Sequence, residues 1–142
     1  MSKTRHLVGS ALLLCAVTAQ AWGPYDADLV RVIDGDTIVM SIHIYPEITV
    51  TTHLRILGID TPELHRARCS AERVKGYQAR DRAAKWLLEA LALSVVDIRR
   101  GKYRMVGDIR NEEGESLAEM LLKAGLAHPY EGRMPRAGWC DS

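Results

Sequence analysis

Alternating hydrophobic and polar positions near the start of the chain predict β-strands. The segment "DLVRVIDGDTIVMSIHI" holds two runs that are rich in β-branched residues, one on each side of Asp34-Gly35. Such a dipeptide suits a tight hairpin turn. The segment "EITVTTHLRILGI" predicts a third strand, because it is also rich in β-branched residues and alternates at its start.

The period of the pattern changes at Ser70, where it predicts a long helix with Ser70 as its N-cap. Lys75 and Arg82 lie on the polar face of this helix, although Asp81 interrupts the apolar stripe. The apolar stripe consists of Val74, Tyr77, Ala84, Leu87, Leu88 and Leu91.

Two further strands and a second helix are predicted in the last third of the chain. The segments "SVVDI" and "YRMVGDI" have the composition of strands, and a turn follows over residues 111–114. Ser116 and Glu119 have the spacing of a capping box, and Gly125 fits the C′ position of the helix that they open. The resulting order is three strands, a helix, two strands and a helix. It predicts an α+β domain built on a five-stranded OB-fold, a Greek-key β-barrel, with two to three helices.

The first residues predict a segment that is removed from the mature protein. Lys3 and Arg5 precede the apolar run "LVGSALLLCAVT", and "AQA" at 19–21 has the small-x-small pattern of a signal-peptidase site. The apolar run is too short for a permanent membrane anchor. We therefore expect a signal peptide over 1–21 and a domain over 22–142, exported as a monomer to the periplasm or the medium. A buried N-terminal helix is the alternative.

Net charge alone does not indicate a nucleic-acid-binding protein. Loss of the signal peptide removes two of the 19 Lys and Arg residues and none of the 18 Asp and Glu residues, which leaves a net charge of −1. Domains that bind nucleic acid usually carry a basic footprint. The charge distribution is more informative, because residues 65–104 contain 11 Lys and Arg residues against four acidic ones. A solvated face is the simplest interpretation of such a run.

Cys69 and Cys140 are the cysteines that remain after export. In an oxidising compartment two such cysteines most often pair, so we expect a disulfide between them. The alternative is a metal site that uses His65 and Cys69, but no Cys-x-x-Cys or His-x-x-x-His pattern supports zinc here.

The segment "LRILGIDTPE" carries an arginine inside a strand and ends in a cluster of polar residues. Asp60 ends this third strand, and Asp36 follows the first hairpin turn. If the two strand ends lie side by side, the two carboxylates and the Thr61 carbonyl could serve one calcium ion, which prefers oxygen ligands. An EF-hand is excluded, because "DGDTIV" lacks the later ligands of that loop. Taken singly, each acidic turn is also compatible with turn chemistry alone.

Two further residues of the segment, Arg55 and Glu63, make turn chemistry alone a weaker explanation for this cluster. A carboxylate at position 63, beside a water bound to a cation, could act as a general base. The arginine could bind phosphate oxygens, because its planar guanidinium stays charged and donates two hydrogen bonds at once.

The motifs "VIDGDTI", "LRILGIDTPE", "KYR" and "GLA" together resemble the staphylococcal (micrococcal) nuclease or thermonuclease family, from about Val30 to Tyr130. The resemblance implies an OB-fold barrel with helices and a calcium-dependent phosphodiesterase that acts on DNA and RNA, with P–O5′ cleavage that leaves 3′-phosphate ends. The ligands of Ca²⁺ that it implies are Asp36, Asp60 and the Thr61 carbonyl, supported by Asp34. It also implies Glu63 as the general base and Arg55 as one of two phosphate-binding arginines.

The second arginine that the resemblance implies is Arg104. The family commonly has Asp-Lys-Tyr-Gly-Arg, whereas this chain has Gly101-Lys102-Tyr103-Arg104 without the glycine before the arginine. Because "RMVGDI" then matches without a gap, we place the missing residue in the turn. Arg100 and Arg110 are the alternatives.

Three more residues would contact the substrate by the same resemblance. Lys102 and Tyr103 would lie near a terminal phosphate. Tyr130 lies one residue from the place where the family stacks an aromatic ring on the nucleotide, and a buried tyrosine with a satisfied hydroxyl is the alternative. Stacked rings suit sequence-tolerant binding of single-stranded DNA and RNA.

Two other classes of function remain open from the sequence. A non-catalytic OB-fold module could bind single-stranded nucleic acid through its basic helix and strands, but it would need neither Glu63 nor both arginines. An exported, calcium-stabilised domain could instead recognise a protein partner, and it would then show no nucleic-acid affinity that falls with salt.

Overall fold

The computed structural model describes residues 23–132, 135–136 and 138–140, so the predicted signal peptide lies outside the described residues. Within the described part the chain forms seven strands and two helices. The strands are β1 (Tyr25–Asp34), β2 (Thr37–Tyr45), β3 (Ile48–Ile56), β4 (Ile59–Asp60), β5 (Leu93–Arg100), β6 (Met105–Asn111) and β7 (His128–Pro129), and the helices are α1 (Ser70–Glu89) and α2 (Leu117–Lys123).

Five of the strands close into a barrel in the order β1-β2-β3-β6-β5. Neighbours in the barrel are antiparallel except β3 and β6, which run parallel with Leu54 opposite Met105. The barrel closes where Tyr25 of β1 lies opposite Val95 of β5. This arrangement confirms the predicted five-stranded barrel with two helices, and the short strands β4 and β7 pair outside it.

The barrel interior is filled by fully buried aliphatic side chains. Ile38, Met40, Leu54 and Ile109 are each 0% exposed. Burying one such side chain contributes about 2 kcal/mol to folding. The core therefore fixes the strand ends on which polar residues stand.

The predicted apolar stripe of helix α1 is confirmed at Leu87, but the other fully buried positions of the helix lie outside that stripe. Its buried positions include Gly76, Ala79, Ala83 and Leu87, whereas Leu88 is 75% exposed. The predicted stripe is also wrong at Val74, Tyr77 and Leu91, which are exposed. Small residues face inward because the helix approaches the rest of the chain closely. A Cβ atom on Gly76 would lie 2.9 Å from the Glu63 carbonyl oxygen, and one on Gly35 would lie 2.8 Å from the Ala79 Cβ.

The helix caps and one strand end refine the other predictions. The N-cap of α1 is Cys69 rather than Ser70, and its Sγ accepts a hydrogen bond from the Glu72 N–H at 3.3 Å. The capping box of α2 is confirmed, since Ser116 Oγ accepts from the Glu119 N–H, and Gly125 has the positive φ of 69° expected at C′. Strand β6 begins at Met105, so the predicted strand was two residues too long at its start.

None of the helices in the described part is long and apolar enough to span a bilayer.

Candidate active site

The turn between β1 and β2 places the first carboxylate. Asp34 lies opposite Thr37, so Gly35 and Asp36 form the two-residue loop of the predicted hairpin. Asp34 Oδ1 accepts a hydrogen bond from the Asp36 N–H at 3.2 Å, and the Asp36 carbonyl accepts one from the Ile56 N–H at 2.8 Å. The turn is thereby attached to the end of β3, where the polar cluster follows.

The second carboxylate comes from β4, which follows β3 after a tight turn. Asp60 is 1% exposed and Asp36 is 2% exposed. The Thr61 N–H donates to Asp36 Oδ2 at 2.9 Å, which joins the two strand ends directly. The structure therefore brings together Asp36, Asp60 and Thr61, which the sequence placed at one predicted calcium site.

Arg55 on β3 bridges the two carboxylates. Its Nη1 donates to Asp36 Oδ1 at 2.7 Å, and its Nη2 donates to Asp60 Oδ1 at 3.1 Å and to the Ile59 carbonyl at 3.3 Å. The side chain is only 17% exposed. Two buried carboxylates need a nearby cation, and this guanidinium supplies one from inside the barrel wall.

The surroundings of Asp36 raise the pKa of its carboxyl group. Burial raises the pKa of this carboxyl to about 6, with Asp34 and Asp60 adding to the rise. Arg55 and the Thr61 N–H oppose that rise without cancelling it. Because burial penalises the ionised form, additional positive charge at this place would be favourable.

Glu63 lies beside the carboxylate pair and is bonded to an arginine that the sequence analysis did not single out. Arg136 Nη1 donates to Glu63 Oε1, and the same guanidinium contacts Asp60 Oδ1 through Nε at 2.6 Å and Nη2 at 2.5 Å. Partial burial alone would lower the pKa of Arg136, but its hydrogen bonds to Asp60 and Glu63 raise it overall. The two acids and this arginine line a cleft of about 170 Å³ together with Arg66, Arg68 and Glu72.

The loop that carries Glu63 is held by a buried carboxylate of α1. Glu72 is 5% exposed, and its two oxygens accept from the Glu63 N–H at 3.4 Å and from the Arg68 N–H at 2.7 Å. Gly76, one turn further along, lies directly against the Glu63 carbonyl. The first two turns of α1 thus determine where Glu63 stands.

The C-terminal tail, residues 135, 136 and 138–140 of the described part, is anchored beside the same loop. Cys140 forms a disulfide with Cys69, which confirms the predicted pair. Trp139 is 5% exposed and stacks on the His128 ring with centroids 4.0 Å apart. These two anchors bring Arg136 to Asp60 and Glu63.

Arg104 reaches the cluster from the turn before β6. Its Nη1 donates to Thr37 Oγ1 at 3.3 Å, and that hydroxyl donates to Asp36 Oδ1 at 3.2 Å. The two alternative arginines lie elsewhere. Arg110 pairs with Asp108 at 3.9 Å, and Arg100 lines a separate groove with Tyr25 and Ile44.

The predicted substrate-contacting residues divide into two groups. Tyr130 lies next to Arg55, with its ring centroid 6.0 Å from Arg55 Cζ, and it lines a cleft of about 420 Å³ with Arg99 and others. Lys102 and Tyr103 stand in the turn after β5, where the Lys102 Nζ lies 5.0 Å from the Tyr103 ring centroid and the ring is 86% exposed.

Comparison with known protein families identifies the chain. The sequence model of the family described as "Staphylococcal nuclease homologue" matches residues 53–138, more than half of the chain. The chain belongs to the staphylococcal nuclease family. No curated protein matches it. Staphylococcal nuclease domains are nucleases or nucleic-acid-binding domains, and the nucleases of the family generally depend on calcium.

The donor atoms of the site fit the calcium ion that the family implies. Among the described residues, no group of three or more His, Cys, Asp and Glu side chains is placed to hold a metal. Asp36 and Asp60 nevertheless meet at one guanidinium, and carboxylate oxygens are donors that calcium prefers. Calcium also accepts carbonyl and water oxygens, and these can complete a coordination shell to which two carboxylates contribute.

Two residues of the site were missed in the sequence. Glu72 was counted only as one of the few acids within the basic segment, although an acid in the first turn of a helix is a recognised position for binding backbone N–H groups. Arg136 was passed over in an irregular tail. The cysteine pair could have indicated it, because Arg136 precedes Cys140 by four residues as Glu63 precedes Cys69 by six.

Proposed function

We propose that the mature protein is an exported, calcium-dependent nuclease that hydrolyses phosphodiester bonds of DNA and RNA. The observation that carries the proposal is the buried pair of Asp36 and Asp60, joined through Arg55 within a domain of the staphylococcal nuclease family. Cleavage of the P–O5′ bond, which leaves 3′-phosphate ends, is the outcome that this family implies.

Calcium would be held by Asp36, Asp60 and the Thr61 carbonyl, with Asp34 ordering the turn beneath Asp36. The hydrogen bonds from Thr61 to Asp36 and from Asp36 to Asp34 support this set, because they fix three of the four residues relative to one another. When bound, the ion supplies Lewis-acid polarisation of a phosphoryl oxygen.

Glu63 is the proposed general base. Its carboxylate is 28% exposed and lies in a cleft, so a water molecule can reach it. It takes a proton from the water that attacks phosphorus, a role that contributes about a thousandfold in comparable enzymes. Its position depends on Glu72 and Gly76, which hold the backbone of the loop.

Arg55 and Arg104 are the proposed phosphate-binding groups. Arg55 stands on β3 and Arg104 in the turn before the neighbouring strand β6. Both reach the carboxylate of Asp36, Arg55 directly and Arg104 through Thr37. In the transition state they stabilise negative charge that grows on the phosphoryl oxygens. Guanidinium groups suit this task because they stay charged and donate in pairs.

Single-stranded substrate fits the aromatic groups beside the site. Tyr130 in its cleft offers a ring for stacking on a base, and Lys102 with Tyr103 would meet a terminal phosphate. Base stacking on aromatic rings tolerates any sequence but needs bases that are not paired. That the protein is a monomer stays a prediction.

Export is supported by the Cys69–Cys140 disulfide, because such bonds persist in oxidising compartments. The signal peptide over residues 1–21 remains a prediction from the sequence, as does the choice between the periplasm and the medium.

The decisive experiment compares cleavage by wild-type protein and by Glu63→Gln. Protein beginning at Trp22 would be incubated with single-stranded DNA in calcium or in chelator. We expect cleavage only with calcium and a loss of about a thousandfold in Glu63→Gln, because the amide cannot accept the proton. Binding of the same DNA, measured by fluorescence anisotropy, should change little. Glu113→Gln is the matched control, since this acid lies in the turn between β6 and α2.

Equal cleavage by wild type and Glu63→Gln would remove Glu63 from the mechanism. Wild-type protein that binds the DNA but never cuts it, with calcium or other divalent metals, would instead indicate a non-catalytic OB-fold module. In that case binding should still weaken with salt, as phosphate contacts require.

A further inference from the structure

Arg136 occupies a place among the acids that the proposed mechanism does not use. It contacts Asp60 Oδ1 through Nε and Nη2, and it contacts Glu63 Oε1 through Nη1. Asp60 is a proposed calcium ligand and Glu63 the proposed base. One guanidinium thus holds both acids of the reaction, which the roles of Arg55 and Arg104 leave unexplained.

This arginine differs from Arg55 in how firmly it is held. Arg55 stands on a barrel strand, is 17% exposed and bonds to Asp36, to Asp60 and to a backbone carbonyl. Arg136 is 33% exposed and comes from the tail, whose described anchors are the disulfide and the stacked Trp139. Arg136 can therefore leave its position without any change in the barrel.

Arg136 and calcium would compete for the same carboxylate. Asp60 Oδ1 already accepts from Arg55, and the contacts of Arg136 use its remaining capacity. A divalent cation bound through this carboxylate would lie close to the Arg136 guanidinium, and like charges at that distance repel strongly where water is largely excluded.

We propose that Arg136 is a built-in counter-ion of Asp60 and Glu63, and that calcium has to displace it to occupy the site. This inference rests on the proposed calcium dependence. In calcium-free protein the guanidinium neutralises two acids that would otherwise repel each other. When calcium binds, Arg136 moves out of the acid pair, which frees the Glu63 carboxylate to accept a proton from water.

The test measures calcium binding itself, by isothermal titration calorimetry of protein beginning at Trp22. Arg136→Gln should bind calcium about tenfold more tightly than wild type, equivalent to about 1.4 kcal/mol. Arg66→Gln is the matched control: it removes one positive charge from the same cleft, and within the described residues Arg66 bonds to neither Asp60 nor Glu63. Its calcium affinity should stay within about twofold of wild type, because screening by water weakens unpaired surface charges.

A second measurement, thermal unfolding, does not depend on the calorimetric signal. In chelator, Arg136→Gln should melt at a lower temperature than wild type, because Asp60 and Glu63 lose their counter-ion. Calcium should then raise its melting temperature by more than it raises that of wild type, since tighter binding gives a larger stabilisation.

Unchanged or weaker calcium binding by Arg136→Gln would overturn the proposal, and weaker binding together with lost cleavage would make Arg136 a positioning residue for Glu63. The absence of calcium binding in both proteins would overturn it as well. Failure of the nuclease proposal looks different. If Arg136→Gln binds calcium more tightly but the wild-type protein never cuts DNA or RNA, the counter-ion proposal is supported and only the proposed catalytic function is wrong.

Discussion

The site consists of two halves that are held in different ways. The barrel half comprises Asp36, Arg55, Asp60 and Thr61, which stand on strands or on the tight turns that end them and are joined by hydrogen bonds of 2.7–3.1 Å. The tail half comprises Glu63 and Arg136, which lie on a loop and on a disulfide-anchored tail. The barrel half is therefore part of the folded core, whereas the tail half depends on links between distant parts of the chain.

The two halves differ in whether their residues can change position. Asp36, Asp60 and Thr61 are at most 2% exposed and the Arg55 side chain is 17% exposed, and moving them would break strand pairing. The tail half can rearrange through a loop and a few terminal contacts, as the release of Arg136 by calcium would require. Under the proposed function, the fixed half would hold the calcium ion and the adjustable half would give water access to Glu63.

Breaking the disulfide should have the largest effect on stability, and it should act on the tail half. The bond spans 71 residues, and a crosslink of that length stabilises by about 4 kcal/mol in the chain-entropy account. Urea unfolding of the Cys69→Ser/Cys140→Ser variant against wild type, both in chelator, would measure this loss. Serine keeps an N-cap oxygen at position 69, so the start of α1 is preserved.

The calcium affinity of the same variant tests whether the tail half is less firmly held than the barrel half. If the disulfide holds Arg136 in place, the variant should bind calcium more tightly than wild type, in the same direction as Arg136→Gln but by less, because the stacked Trp139 remains. Calcium binding identical to wild type would show that the tail keeps its position without the bond, and the two halves would then be equally fixed.

Arg55→Ala should have the next largest effect on stability, and it acts on the barrel half. Removing this guanidinium leaves the buried Asp36 carboxylate without its bonded cation and Asp60 with Arg136 alone, which costs about 3 kcal/mol in chelator. Arg104→Ala is the matched variant, because Arg104 is exposed and, among the described residues, its guanidinium bonds only to a threonine hydroxyl. Its stability should stay within about 0.5 kcal/mol of wild type.

The two arginine variants should nevertheless lose cleavage alike. Each removes one group that stabilises charge in the transition state, a loss of about a hundredfold to a thousandfold. Measured kcat/KM on single-stranded DNA would test this expectation. A mild effect of Arg104→Ala would place the second phosphate-binding arginine elsewhere, and Arg136 would then be the nearest candidate.

The sequence predicted the barrel half well because its information is local. A hairpin turn, a β-rich strand and a polar cluster are each contained within about ten residues, and strand pairing brings the ends of β2 and β3 together. The same reasoning located the capping box of α2, since Ser116 and Glu119 are three residues apart. The order of strands then predicted the barrel.

In the tail half the sequence indicated Glu63 but not Arg136, because the bonds of Arg136 join residues that are far apart in the chain. Periodicity placed Val74 and Leu88 of α1 toward the core, but the helix lies so close to the Glu63 loop and the first turn that only small side chains fit there. Packing distance, rather than hydrophobicity, determined the face. The cysteine pair indicates that the tail lies near the Glu63 loop, but the bonds of Arg136 to two acids of the site also depend on how the tail folds between Trp139 and the loop.

The smallest of these effects tests whether Gly76 sets the position of the general base. In Gly76→Ala the new Cβ would meet the Glu63 carbonyl at 2.9 Å and the Pro62 carbonyl at 3.0 Å, so the loop has to move. Overpacking costs about 2 kcal/mol, while alanine regains about 1 kcal/mol of helix propensity, which leaves a net loss of about 1 kcal/mol in urea unfolding.

Gln78→Gly on the exposed side of α1 should lose about as much stability through helix propensity alone. If the loop positions the base, Gly76→Ala should cut DNA at least about tenfold more slowly than Gln78→Gly, because small displacements of reacting groups are costly. Equal cleavage by the two variants would show that the Glu63 loop adapts to α1, and that Glu72 suffices to hold the loop.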